Sequence, residues 1–291
     1  MRPTIVFKSL RVHQWVKNLL IFVPFLLAFK QVELSQIYVL LFAFFAMSLC
    51  ASASYLFNDL MDFESDRQHP IKKNRPIASG AMSKTYAYGL LITCLAVGIG
   101  LSFSLSRDFQ FILAAYLVIT ILYSIVLKSI VLLDVIILGA LYTIRIVAGI
   151  YAANVALSFW ILVFSMFLFM SLAMLKRFSE LYNLRLRDEE TASGRGYISK
   201  DLELVSSLGS ASGLIAVLII VLYIHDPITL EKYTNPEWLW LILPALLYWV
   251  SHMWLISHRG KMNEDPVLYA IHDKPSYVVG VICIVAVLLA I

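Results

Sequence analysis

Charge is what this sequence has least of. Asp, Glu, Lys and Arg make up only 14% of its 291 residues, while 60% are hydrophobic. A water-soluble domain carries about 25% charged residues and is about half apolar, and a chain of this length keeps too much surface exposed to hide the excess in one core. The scarcity excludes a soluble globular protein and leaves lipid as the solvent. Cysteine is scarce as well. Cys50, Cys94 and Cys283 stand in separate apolar stretches without metal-ligand spacing, which argues against a disulfide or zinc framework. His13, His69, His225, His252, His258 and His272 form no paired metal motif. A cleavable signal peptide is not expected, because the first ten residues are basic but lack an apolar run and a small-residue cleavage site. The net charge of +4 does not point to nucleic acid, since the basic residues sit in short loops between apolar runs.

Those runs are what the chain does have. A bilayer core takes about 20 apolar residues per helix, and nine stretches qualify: 14–29, 36–57, 86–106, 109–127, 130–151, 156–175, 206–224, 237–256 and 277–291. The first and last are short and suit a tilted or partly interfacial placement. The reading is an all-α integral membrane protein, a single domain over 1–291 with nine transmembrane helices. Of the 23 Lys and Arg, only Lys30, Arg107 and Lys232 fall on the face opposite the N-terminus, and Arg145 falls inside a span. The positive-inside rule therefore puts the N-terminus and the crowded loops in the cytoplasm, as expected of a plasma membrane protein. The same loops hold most of the acids, including Glu180, Glu190 and Glu264. Acids contribute little to topology, so a polar site at that surface is the better account of them.

The strongest local signal follows the second span: Asn58-Asp59-Leu60-Met61-Asp62, then Asp66 and Arg67. If the helix continues, Asp59, Asp62 and Asp66 lie at i, i+3 and i+7 on one face, with Asn58 four residues from Asp62. A stripe of three carboxylates repels itself unless a cation sits within it. Oxygen ligands shared with substrate phosphates describe a magnesium site, able to neutralise a departing pyrophosphate. The competing account is a solvated acidic helix end. The loop continues through Arg67, Lys72, Lys73 and Arg75 to Pro76 and Gly80. These cations would suit phosphate oxygens, although topology alone also places basic residues here.

The segment NDLMDFESDRQHPIKKNRPIASG resembles the first aspartate-rich motif of the UbiA superfamily of intramembrane prenyltransferases, NDxxDxxxD followed by Arg-Pro-(Ile/Leu)-x-x-Gly, with every fixed position matched. The resemblance covers nearly the whole chain. It implies a UbiA-type bundle, Mg2+ held by Asp59, Asp62 and Asp66, and an activated diphosphate donor. The family's second motif, paired aspartates after the sixth span, is absent. Lys176-Arg177-Phe178-Ser179-Glu180-Leu181 stands there instead, followed by Arg195-Gly196-Tyr197. This pattern is most like the decaprenyl-phosphate phosphoribosyltransferase branch, as are Arg11 to Asn18 (with Gln14 and Lys17), Arg145 with Gly149, and Asp265-Pro266.

That resemblance implies catalytic roles for Asp59, Asp62, Asp66, Lys176, Arg177 and Glu180. It implies substrate contacts from Gln14, Lys17, Asn18, Asn58, Arg67, Lys72, Arg75, Tyr123, Lys128, Arg145, Arg195 and Tyr197. The expected partners are phosphoribosyl pyrophosphate and a polyprenyl phosphate lipid, and a homo-oligomer is left open. Two phosphorylated substrates meeting at a bilayer call for many cations, consistent with this branch. Arg145 lies deep in its span, where an unpaired charge costs at least about 2.5–3.5 kcal/mol. It should meet a polar cavity and an anion, and Asp134, eleven residues earlier, shares its helix face. Two other functions stay open. One is prenyl transfer to an aromatic acceptor at the same site. The other is a transporter, against which the crowding of charge at one surface argues, because transporters place polar groups near the midplane.

Overall fold

The computed structural model describes residues 3–28, 36–68, 72–189, 196–262 and 265–291. Lys30, His69, Glu190, Arg195 and Glu264 lie outside the described residues. Every described element is helical. The chain falls into two compact units, Met1–Ile125 with Ile144–Leu157, and Val126–Thr143 with Ser158–Ile291. Among the described residues, seven helices are long and apolar enough to cross a membrane. An eighth crossing arises if Pro266–His272 and Lys274–Ala290, bent by 84° at Asp273, count as one broken span.

The first unit opens with α1 (Pro3–Ser9), followed by an 11-residue 3-10 stretch, Val12–Phe22, that runs into α2 (Val23–Leu27). Val12–Leu27 is a shorter apolar helix than the crossing length requires. Its 3-10 winding rises about 2 Å per residue rather than 1.5 Å, so it reaches about 30 Å, the thickness of a hydrocarbon core. The span expected over 14–29 is therefore not an ordinary α-helix and is not among the helices of crossing length. The long helix α3 (Gln36–Met61) packs on α5 (Lys84–Ser102) and α6 (Arg107–Ile125), and the short helix α4 (Phe63–Gln68) follows α3. The buried stripe of α3 is built of small residues, Ala43, Ala46, Ser48, Cys50, Ala51, Ser52 and Ala53. Small residues let backbones approach where apolar burial against lipid supplies no drive. Opposite them, a Cβ at Gly98 would come within 2.8 Å of Cys50 Sγ.

Helix α7 (Leu133–Ala153) contributes its start to the second unit and its end to the first. The second unit continues with α8 (Phe159–Arg185), α9 (Leu202–His225), the short α10 (Pro227–Leu230), α11 (Ile242–His258), α12 (Pro266–His272) and α13 (Lys274–Ala290). Helices α8 and α9 form its main packed pair, and α11 packs on both. Ser171 donates to the Gly209 carbonyl at 2.7 Å and accepts from the Trp254 indole N–H at 3.1 Å, so one hydroxyl ties α8, α9 and α11 together. Gly209 admits the indole, because a Cβ there would fall 2.4 Å from the ring. Trp254→Phe removes the buried donor and part of the ring. It is expected to lower unfolding stability in detergent by about 1–3 kcal/mol, read as a lower thermal midpoint.

Candidate active site

The carboxylate stripe forms as the spacing suggests. The backbone N–H of Asp62 donates to the Asn58 carbonyl at 2.9 Å, and that of Asp66 to Asp62 at 2.8 Å. Helical hydrogen bonding thus carries across the junction of α3 and α4. Asp59 and Asp66 are buried, while Asp62 is half-buried and accepts from the Asn58 side chain at 3.0 Å. Cations answer them within the first unit. Arg11 Nη2 meets Asp59 Oδ1 at 2.5 Å, and Arg75 Nη1 meets the same oxygen at 3.1 Å and Asp66 Oδ2 at 2.6 Å.

The loop that supplies Arg75 is anchored by its own apolar residues. Pro76, Ile77, Ala78 and Met82 are buried, and Ile77 and Met82 share a core with Leu56 and Ala87. Gly80, at φ +77°, closes the turn in a conformation that side chains rarely adopt. Arg11 is itself in the left-handed region, at φ 49°, a conformation that costs a non-glycine residue about 1–2 kcal/mol. Its guanidinium lies over the Tyr55 ring as well as on Asp59.

A second polar group lies deeper in the same unit. Asn18 donates to Ser48 Oγ at 2.8 Å and accepts from Arg145 Nε at 2.8 Å, and Arg145 Nη2 donates to the Tyr116 hydroxyl at 3.1 Å. Asp134, the acid that shares a helix face with Arg145, instead pairs elsewhere, as described below. Gly149 lets α7 close onto the N-terminal segment: a Cβ there would lie 2.1 Å from the Ile21 carbonyl oxygen. Trp15 is tied to α3 through Ser52. Lys17 and Asn18 are buried, Gln14, Lys72 and Tyr123 are half-buried, and Arg67 is exposed over the Phe63 ring.

The second unit holds a separate constellation. Arg177, with a side chain 0% exposed, pairs through Nη2 with the equally buried Asp134 at 2.9 Å. Through Nη1 it makes a close ion pair with Glu180, whose side chain is 37% exposed. Tyr197 donates its hydroxyl to Asp134 Oδ1 at 2.7 Å and accepts from the Leu132 N–H at 2.9 Å. Burial, then the bond to Asp134, raises the Tyr197 pKa, so the hydroxyl stays protonated and donating. Two costs are held in this cluster. Leu132 sits at φ 67°, worth about 1–2 kcal/mol, and the buried Arg177 Nε makes no hydrogen bond among the described residues, worth about 1–3 kcal/mol. Lys176, next to Arg177 but half-buried, pairs with Asp265 at 3.2 Å. Lys128 is half-buried in the 3-10 turn Leu127–Ser129.

The expected residues therefore divide. Asp59, Asp66 and Arg75 come together, as do Asn18 and Arg145, and as do Arg177, Glu180 and Tyr197. The Tyr197 hydroxyl, expected to touch substrate, and the two terminal nitrogens of Arg177, expected in a catalytic role, are engaged inside the protein. Arg11, Tyr116, Asp134 and Asp265 are polar partners that the site assignment missed. Arg11 and Asp265 stood within quoted motifs, so a signal existed. Tyr116 and the Asp134–Arg177 pair depend on tertiary packing and left none.

A magnesium ion can be judged against this donor set. Among the described residues no three of His, Cys, Asp and Glu converge tightly enough to hold a metal on their own. Yet Asp59 and Asp66 already share one cationic group, Arg75. All donors are hard oxygens, and Mg2+ commonly takes one or two carboxylates and completes its shell with water and substrate phosphates. The residues fit an ion that arrives with a phosphorylated substrate, not a self-sufficient metal cage.

The comparisons with known proteins agree with this chemistry at the level of the family. An uncharacterized protein of Sinorhizobium fredii, y4nM, is 37% identical over 283 residues, covering 97% of this chain and 55% of that protein. The decaprenyl-phosphate phosphoribosyltransferase of Mycobacterium tuberculosis is 33% identical over 184 residues, covering 61% of this chain and 60% of that enzyme. The chain spans about half the length of the Sinorhizobium protein, and the match to the phosphoribosyltransferase covers only 60% of that enzyme. A UbiA homologue from Archaeoglobus fulgidus, solved bound to DMAPP and Mg2+, shares the fold with a TM-score of 0.70 at 17% identity, over 98% of this chain and 96% of that one. The model of the UbiA prenyltransferase family matches residues 19–273. With the aspartate stripe, the helical architecture and that match in agreement, the chain belongs to the UbiA prenyltransferase family and is a multi-pass membrane protein.

Proposed function

We propose that the protein transfers the 5-phosphoribosyl group from phosphoribosyl pyrophosphate to a polyprenyl phosphate such as decaprenyl phosphate, releasing pyrophosphate in a Mg2+-dependent reaction. The observation that carries this reading is the pair of buried aspartates, Asp59 and Asp66, held together by Arg75 and flanked by Arg11. The identity to phosphoribosyltransferases over 61% of the chain and the absence of a second paired-aspartate motif support the choice of donor. The strong excess of Lys and Arg on one set of loops supports a plasma membrane location with the site at the cytoplasmic face.

Asp59 and Asp66, with Asp62 beside them, would hold Mg2+, which supplies neutralisation of the diphosphate leaving group. Arg75 and Arg11 exchange their carboxylate partners for phosphate oxygens of the donor, a role that suits the guanidinium fork. Asn58 keeps Asp62 in register through its 3.0 Å hydrogen bond. The acceptor is already an anion, so the chain needs no strong general base. A phosphate oxygen of the lipid attacks the anomeric carbon, the bond from that carbon to the diphosphate oxygen breaks, and pyrophosphate departs. Lys176, Lys128, Lys17 and Arg195 are the cations assigned to steering the lipid phosphate. Lys176 is held by Asp265 for that task.

The test offers membranes containing the chain either labelled phosphoribosyl pyrophosphate with a polyprenyl phosphate or a labelled prenyl diphosphate with an aromatic acid, with products identified by mass spectrometry. The expected product is a phosphoribosylated lipid phosphate whose formation stops on chelation by EDTA and resumes with added Mg2+. A prenylated aromatic product and no phosphoribosyl lipid would overturn the reading.

A further inference from the structure

We infer that Arg11 and Arg75 set the form in which the divalent cation is admitted: their guanidinium groups hold Asp59 and Asp66 against a free metal ion and release them to a metal that comes with a diphosphate. The inference rests on the aspartate site proposed above and adds the residues that make it selective. It does not depend on which group the donor carries.

Three positions along one face of α3 hold Arg11 in place. Ser52, Tyr55 and Asp59 lie at i, i+3 and i+7. Ser52 donates to the Leu10 carbonyl at 2.8 Å and accepts from the Trp15 indole N–H at 2.9 Å, so the chain is tied to the helix both before and after Arg11. Tyr55 lies under the guanidinium at 5.2 Å, and Asp59 receives it at 2.5 Å. Arg11 keeps its left-handed backbone, φ 49°, at the point where its side chain meets the acid. Strained backbone of this kind persists where the surroundings over-determine it, and such places cluster at working sites. Arg75 stands on the same support. Ile5 and Leu10 pack on the core of Leu56, Ile77 and Met82 that anchors its loop, and Lys8 Nζ donates to the Asn74 carbonyl at 3.5 Å. Both arginines are thus mounted on one part of the first unit.

Binding a diphosphate does not by itself require this pairing. Both guanidinium groups bear on one oxygen, Asp59 Oδ1, and Arg75 also holds Asp66 Oδ2. Asp59 and Asp66 are buried, so water screens little of the charge there. A divalent ion arriving alone would meet two fixed cations at the oxygens it needs, and the repulsion is strong where solvent is excluded. A diphosphate reverses the balance. Its oxygens give the guanidinium forks a new bidentate partner, and its negative charge offsets the metal. The arginines then leave the carboxylates without losing an anion, and the carboxylates gain a cation in exchange.

The experiment measures Mn2+ binding to the purified full chain in lipid nanodiscs, by loss of the free-ion electron paramagnetic resonance signal. The wild type is compared at equal free Mn2+ with and without pyrophosphate. Pyrophosphate should tighten Mn2+ binding by about 5- to 150-fold, the usual range of coupling between two ligands. Arg11→Gly is the informative variant, because glycine takes the left-handed conformation freely and only the guanidinium is lost. It should bind Mn2+ alone about fivefold or more tighter than the wild type, with a smaller gain from pyrophosphate. Arg11→Lys, which returns the charge, should move back toward the wild type. A merely structural role predicts weaker Mn2+ binding in Arg11→Gly. Arg11→Gly no tighter than the wild type for Mn2+ alone, or Arg11→Lys no different from Arg11→Gly, overturns the inference. The aspartate site survives that result if Asp59→Asn loses the Mn2+ bound with pyrophosphate. Should Arg11→Gly fail to fold, the wild type decides, since equal affinity with and without pyrophosphate also overturns the inference. No Mn2+ binding under either condition overturns the metal site as well.

Discussion

Replacing Asp59 by Asn is expected to abolish turnover, by about 10²- to 10³-fold or more, while leaving a folded protein. The size follows from the role. A residue that places positive charge against a developing leaving-group anion acts where the transition state gains most, and loss of one such contact commonly costs 10²–10³ in rate. Asp59 is also where the two arginines converge, at 2.5 and 3.1 Å. The neutral amide holds neither a metal nor the guanidinium groups as an ion pair. Folding should survive because Arg11 and Arg75 have side chains 22% and 24% exposed and can turn to water. Arg75 also keeps Asp66 at 2.6 Å. Turnover is read with saturating donor, and integrity by size-exclusion profile and helical circular dichroism. Full activity in the variant would refute the site.

The second large effect concerns stability. Gly149→Ala would place a methyl group 2.1 Å from the Ile21 carbonyl oxygen and 3.0 Å from its Cα. These are backbone atoms, not the yielding tip of a side chain. Helix α7 and the segment Val12–Phe22 must part, and that segment carries Lys17 and Asn18. Overpacking of this kind costs about 1–3 kcal/mol, occasionally more. Because Asn18 links Arg145 to Ser48, the displacement should also break the hydrogen bonds that keep Arg145 satisfied inside the membrane. The expected result is a lower thermal midpoint in detergent together with weakened catalysis. Gly280→Ala is the matched control, since a Cβ there meets nothing within 4 Å and alanine gains about 0.5–1 kcal/mol of helix propensity over glycine. A variant at Gly149 as stable as that control would show that the close approach is absent in the membrane.

Much of this was readable before any coordinates. Low charge and long apolar runs dictate a helical membrane protein, because only helices and closed barrels satisfy backbone polar groups in lipid. The i, i+3, i+7 spacing of Asp59, Asp62 and Asp66 placed the acids on one helical path, and the hydrogen bonds through Asp62 continue it. The limits of the sequence lie where tertiary packing decides. Arg145 and Asp134 share a face of α7, yet Arg145 bonds to Asn18 and Tyr116 while Asp134 holds Arg177. Periodicity sees neighbours on one helix but not the partners that other helices bring. The 3-10 winding of Val12–Phe22 left no periodic signature distinct from an ordinary apolar helix. Tyr197 resembled a substrate contact because it follows Arg195 and Gly196, whereas its hydroxyl is spent between Asp134 and Leu132.

The central claim is that the oxygens of Asp59 and Asp66, shared by Arg75 in the protein alone, take a divalent cation when the diphosphate arrives. Electron paramagnetic resonance of bound Mn2+, with pyrophosphate present, tests it most directly on the purified full chain. The wild type should show one protein-bound Mn2+ with phosphorus coupling, and Asp59→Asn and Asp66→Asn should each lose it. An unchanged Mn2+ signal in both variants, or no pyrophosphate-dependent Mn2+ binding by the wild type, would contradict the account.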